Sequence, residues 1–215
     1  MKRFLLAIIP FFVVLTTSAS NVEKIQFNGN LHTDEATDMY RMFQNCEKLR
    51  SVDLKTLKTS NVQDMGMMFF RCSSLESLDI SHFDTSNVRN MAKMFCACSE
   101  LIELDIRNFR TSAVEDMSLM FDSCIMLREL DLSNLDTSKV RDTSNMFGQC
   151  RNMLELDLST WNTGSLEKAD GMFDRCSALR SLNVSGWDTS HVKSMNGMFK
   201  DCDVALTWHP GSVNQ

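Results

Sequence analysis

The chain has 215 residues, 43% hydrophobic and 23% charged, a balance that suits a packed protein and excludes a disordered one. Its net charge of −6, or −8 once Lys2 and Arg3 are set aside, leaves no basic surplus, so no nucleic-acid partner is expected. The only prolines are Pro10 and Pro210, so nothing between them bars a long series of strands from hydrogen bonding.

Residues 1–20 open with Lys2-Arg3, continue with the apolar run Phe4–Leu15 and end in the small residues Thr16–Ser20. This is the layout of a secretory signal peptide, and a run broken by Pro10 is too short to span a bilayer. The expectation is a cleaved leader and a mature chain without a membrane span, secreted to the extracellular space or the cell surface. An uncleaved N-terminal anchor is the other reading. Residues 21–46 form an atypical first unit, an N-terminal capping repeat. Val22, Ile25 and Phe27 sit one residue out of phase with the later units, whereas Leu31, Thr33, Ala36, Met39, Met42, Phe43 and Cys46 are in register with them.

Residues 47–204 are an array with a period of 26. Cys46, Cys72, Cys98, Cys124, Cys150, Cys176 and Cys202 keep that step, and a Met-Phe pair stands three residues before each of them. Within one unit, Leu75, Leu78 and Ile80 give L-x-x-L-x-L, whose last members alternate as one face of a short strand does. Phe83 comes next, at a turn. Val88, Met91, Met94, Phe95 and Cys98 then fall at steps of three and four, which predicts a helix, with Thr85-Ser86 placed to cap its first turn. No unit buries enough to fold alone, so the units stack. Parallel strands stack at ~4.8 Å and packed helices at ~8–10 Å. The expected fold is therefore an α/β repeat, a leucine-rich-repeat-like solenoid with its parallel β-sheet on the concave side and helices on the convex side. Residues 205–215 are expected to be a C-terminal cap or tail, with Trp208 in a leucine's place and Pro210 ending the strand.

From Phe83 to Ile106 the sequence reads F-D-T-S-N-V-x-x-M-x-x-M-F-x-x-C-x-x-L-x-x-L-D-I, and Ser81, Ser133, Ser159 and Ser185 supply the serine that usually comes after the strand, while Lys55 and Arg107 depart from it. The pattern resembles the BspA-like leucine-rich repeat surface proteins over about residues 31–204. That resemblance implies a secreted or surface-displayed, non-catalytic binding protein, acting in adhesion or other protein–protein interaction, with a host matrix or cell-surface protein as the kind of partner. The alternatives are a structural or immune-exposed surface repeat without a specific ligand and a secreted enzyme.

One column stands out as a candidate ligand-binding face. Between the two strand leucines come Asp53, Asp79, Asp105, Asp131 and Asp157, then Asn183, and two residues before three of them come Glu103, Glu129 and Glu155. Asp79, Glu103, Asp105, Glu129, Asp131, Glu155 and Asp157 would all project from the exposed, concave sheet face. At ~4.8 Å spacing their like charges should raise one another's pKa values. A negative strip for a basic partner and a weak calcium site are functional readings; the structural one has each Asp satisfied by hydroxyls such as Ser81, Ser133 and Ser159. The in-register cysteines read as reduced core residues, since helices ~8–10 Å apart would hold them beyond disulfide range. No catalytic residue set, metal site or cofactor motif is legible, so neither an enzyme nor a cofactor is expected.

Overall fold

Where the helix is expected, the backbone forms a run of overlapping turns. In Met91–Cys98 the amides of Met94, Cys96 and Cys98 donate three residues back, to the carbonyls of Met91, Lys93 and Phe95. The intervening amides of Met91, Lys93, Phe95 and Ala97 donate forward, to Asp116, Ser118, Met120 and Asp122 of the next coil, and all seven bonds are 2.8–3.2 Å long. The remaining amide, that of Ala92, donates to the Asn90 side chain, so every amide of the run has an acceptor. Lys93 and Ala97 are left-handed, with φ of 58° and 61°, and the same two positions are left-handed in every coil from Arg41 and Asn45 to Gly197 and Asp201. A helix cannot hold a left-handed residue at every fourth position.

The computed structural model describes the backbone and side chains of residues 21–27 and 33–204, and the backbone alone of 6–9, 12–15 and 205–207. Among these residues there is no α-helix, which corrects the expected convex layer. Ring spacing shows why. The phenylalanines of successive Met-Phe pairs, from Phe43 to Phe199, stack nearly parallel with centroids 5.2–5.8 Å apart. Helices need ~8–10 Å, so coils this close can be joined only by a thin, hydrogen-bonded backbone. The concave placement of the sheet rests on helix width, and that reason goes with the helices.

The opposite face carries the short strands. β1 (Leu6–Ile9) and β2 (Phe12–Leu15) pair antiparallel within residues 1–20, the rest of which lie outside those described. β3 (Lys24–Gln26) pairs parallel with β4 (Ser51–Asp53), and β5 (Glu155–Asp157), β6 (Ser181–Asn183) and β7 (Ala205–Thr207) form a three-stranded parallel sheet. Ile25 stands opposite Val52, a step of 27 that matches the phase slip of the first unit. Leu182 stands opposite Leu206, a step of 24, so Leu206 rather than Trp208 takes the strand leucine's place in the last coil. Leu31, Trp208 and Pro210 lie outside the described residues.

Between β4 and β5 the ladder is open. Residues 77–79, 103–105 and 129–131 take the same course but make no backbone hydrogen bond to a neighbouring coil. What locks these coils together is the turn ladder and a column of buried threonines. Thr85 Oγ1 donates to the Arg110 carbonyl at 3.0 Å and accepts from the Arg110 amide at 2.8 Å, and Thr33, Thr59 and Thr163 make the same pair one coil on. Instead of capping helices, as their position predicts, these hydroxyls join coils.

The core is one continuous column. Each Met-Phe pair from Met42-Phe43 to Met172-Phe173 is fully buried, as are the in-register cysteines from Cys46 to Cys176, and all eight thiols are free. Helix width cannot be what keeps them apart. The thiols of Cys72, Cys98, Cys124, Cys150 and Cys176 each donate to the phenylalanine carbonyl of the preceding coil at 3.0–3.2 Å. Burial pushes the Cys176 thiol up to about 12. The out-of-register Cys96 is also buried, and desolvation together with Asp122 pushes its thiol up to about 12.

Candidate functional site

On the strand face, residues alternate as the pattern requires. Leu104 and Leu156 point inward and are buried, while Asp79, Glu103, Asp105, Glu129, Asp131, Glu155 and Asp157 are all exposed. The structure therefore brings all seven candidate residues onto one surface, one coil apart.

It also divides them by chemistry. Each aspartate closes a small turn: the Ser81 amide and hydroxyl donate to Asp79 Oδ1 at 3.2 and 2.7 Å, and those of Ser133 donate to Asp131 Oδ1 at 3.1 and 2.7 Å. The Ser159 amide donates to Asp157 at 3.0 Å. Asn183 Oδ1 accepts the Ser185 amide in the same way, which explains how an amide can end the aspartate column. At Asp105 the serine is replaced by Arg107, whose amide and Nε donate to Oδ1 at 3.0 and 2.9 Å and whose Nη2 donates to Oδ2 at 2.6 Å.

These bonds reverse the expected pKa shift. The serine hydroxyls and amides hold Asp79, Asp131 and Asp157 below the usual carboxylate range, and the Arg107 side chain lowers Asp105 to about 2. Crowding of like charge raises a carboxyl, but donated hydrogen bonds to the charged form outweigh it on this exposed face. The aspartates are spent on the backbone. The side chains of Glu103, Glu129 and Glu155 have no ion pair or hydrogen bond, so they are the acids left for a partner.

Two adjoining grooves run beside them. One, of about 560 Å³, lies over Glu103, Asp105 and Arg107, and the second, of about 700 Å³, over Glu155, Asp157 and Asn183; they share Glu129, Leu130 and Asp131. Ile102 and Leu154, the exposed large hydrophobic residues among those described, sit directly before Glu103 and Glu155. The surface thus offers negative charge next to apolar contact. Among the described residues no group of three His, Cys, Asp or Glu could hold a metal ion, and no helix is long and apolar enough to cross a membrane.

Reading one column at a time, rather than one unit at a time, exposes charges that the motif hides. Arg89, Glu115, Arg141, Glu167 and Lys193 alternate in sign at the 26-residue step, and Glu167 pairs with both Arg141 at 3.1 Å and Lys193 at 2.6 Å. On the turn face the guanidinium of Arg41 lies 4.7 Å over the Tyr40 ring and that of Arg71 5.3 Å over Phe70.

A family profile described as "Mycoplasma protein of unknown function, DUF285" matches residues 13–126 and again 97–207. A leucine-rich repeat protein of T. pallidum (TpLRR) superposes with a TM-score of 0.60 at 19% identity, covering 93% of this chain and 86% of its own. That likeness shows a leucine-rich-repeat type of solenoid. A leucine-rich repeat protein from Bacteroides ovatus ATCC 8483 aligns at 16% identity over 87% of this chain and 66% of its own, with a TM-score of 0.27, too low to add to the fold assignment. No curated protein matches the chain.

Proposed function

Since the chain belongs to the DUF285 family and folds as a repeat solenoid, we propose that it is a non-catalytic, BspA-like binding protein that engages a basic protein partner through its strand face. Its action is adhesion or other protein–protein interaction, and its place is the extracellular space or the cell surface, where the leader-like residues 1–20 would send it. One observation carries the reading. Glu103, Glu129 and Glu155 stand exposed and unpaired at one-coil intervals beside two adjoining grooves, while the neighbouring aspartates are committed to turns. A stacked array fixes the backbone from which these side chains project, so no segment of chain has to fold on binding, and a strip of one sign speeds encounter with a basic partner in a salt-dependent way.

The test is titration of the full chain with a labelled lysine-rich peptide, read by fluorescence anisotropy at low and at physiological salt. Changing Glu103, Glu129 and Glu155 together to Lys should slow association about tenfold or more at low salt and leave the circular dichroism spectrum unchanged. Equal binding by the triple variant at both salt concentrations would remove the site from this face.

A further inference from the structure

The three glutamates are the middle of a longer column. Ser51 and Ser77 precede Glu103 at the 26-residue step and Ser181 follows Glu155, so the negative strip is three coils long. A second row runs beside it, one residue earlier in each coil: Ile102, Arg128 and Leu154, all exposed, with Arg128 in no ion pair. The face therefore presents two parallel stripes, one acidic and one apolar with a cation at its centre. Both follow the solenoid axis, at the coil spacing of 5.7 Å that the stacked Phe121, Phe147 and Phe173 rings mark in the core beneath. The strand segments do not tighten that spacing, since 103–105 and 129–131 make no bond to a neighbouring coil and are not drawn to the ~4.8 Å of a paired sheet.

We infer that the segment bound here is an amphipathic, basic α-helix of the partner, lying along the solenoid axis with basic residues at i, i+4 and i+7 over Glu103, Glu129 and Glu155. The inference rests on the proposed strand-face binding and names the form its partner takes. Pitch is the first reason. An α-helix advances ~5.4 Å per turn, so i to i+7 covers ~10.5 Å, close to the two coil steps from Glu103 to Glu155. An extended segment advances ~6.7 Å between residues of one face and drifts about 2 Å out of step over the same strip. The pair of stripes is the second reason. An extended segment sends alternate side chains to opposite faces and so offers this surface one row, whereas a helix offers neighbouring rows on one side. Beside its basic row, the matching helix carries apolar residues at i+1 and i+8, over Ile102 and Leu154, and an acid at i+5, facing Arg128. The two adjoining grooves, of about 560 and 700 Å³, form one trough along the strip for it.

Two labelled, alanine-based peptides of one composition, titrated into the full chain and read by fluorescence anisotropy and circular dichroism, test this. In the first, lysines at i, i+4 and i+7 stand beside leucines at i+1 and i+8 and a glutamate at i+5. In the second, the same residues are reordered so that the lysines fall at i, i+2 and i+4. The first should bind about tenfold or more tightly than the second. Its binding should also add a helical signal, which the described residues of the protein, without an α-helix, do not supply. Ile102→Ser/Leu154→Ser, two changes at exposed positions, should weaken the first peptide several-fold. Equal binding by the two peptides, or binding of the first with no added helix, overturns the helical partner. If that binding is lost in Glu103→Lys/Glu129→Lys/Glu155→Lys, the strand-face reading stands without it. Binding undiminished by the triple variant, or no binding of either peptide to the wild type, overturns both.

Discussion

Asp105 and Glu103 are two residues apart, both exposed, and chemically unlike. Asp105 is held by three donors from Arg107 and lowered to about 2, whereas Glu103 has no partner. Folding makes Asp105 harder to protonate than in the unfolded chain, so whatever stability it contributes is present above its ordinary value of ~3.9 and is lost as pH falls toward about 2. Carbon-detected NMR of the Asp105 carboxyl should therefore find its midpoint near 2, and Arg107→Ala should return it toward the ordinary range. A wild-type midpoint near 4 would show that the pair does not form in solution. Exposure of the seven acids is legible from strand alternation alone. Which of them are free is legible only in part: Ser81, Ser133 and Ser159 read as possible donors to the aspartates, one alternative among three, whereas Arg107 reads only as a departure from the motif although it supplies three donors to Asp105.

At the scale of the element, the sequence carries the core but not the backbone that holds it. Val88, Met91, Met94, Phe95 and Cys98 are all buried, as a helix stripe would be, and a chain of overlapping turns buries the same spacing. The distinguishing residues are the left-handed ones, and only Asn45, Asn145, Gly171, Gly197 and Asp201 are of types that favour that conformation, the other nine being Arg, Met, Lys, Ala, Leu, Ser or Gln. Each of those nine costs roughly 1–2 kcal/mol, offset by bonds to the next coil that exist only in the stack, so local propensity marks the position in some coils and not in the array as a whole. The threonine column is the available clue, since it recurs in every coil at a buried position. Thr85→Val keeps the shape and leaves the Arg110 amide and carbonyl without their partner. It should destabilise by about 1–3 kcal/mol in urea unfolding, with Thr85→Ser much milder. No loss in the valine variant would mean that the hydroxyls do not join the coils.

For the whole molecule, hydrogen bonding is unevenly spread, and this bears on function. The turn side is bonded at every coil, while on the strand side residues 103–105 and 129–131 have amides with no partner. Those amides should exchange with solvent quickly in the free protein, although they sit on a rigid stack. A partner seated over Glu103 and Glu129 would cover them. Hydrogen–deuterium exchange on the full chain, with and without the lysine-rich peptide, reads this directly. Binding through the strand face predicts slowed exchange at 103–105 and 129–131, with the turn segments 91–98 and 117–124 unchanged. Protection confined to the turn segments, with the strand-face amides exchanging as before, would contradict it.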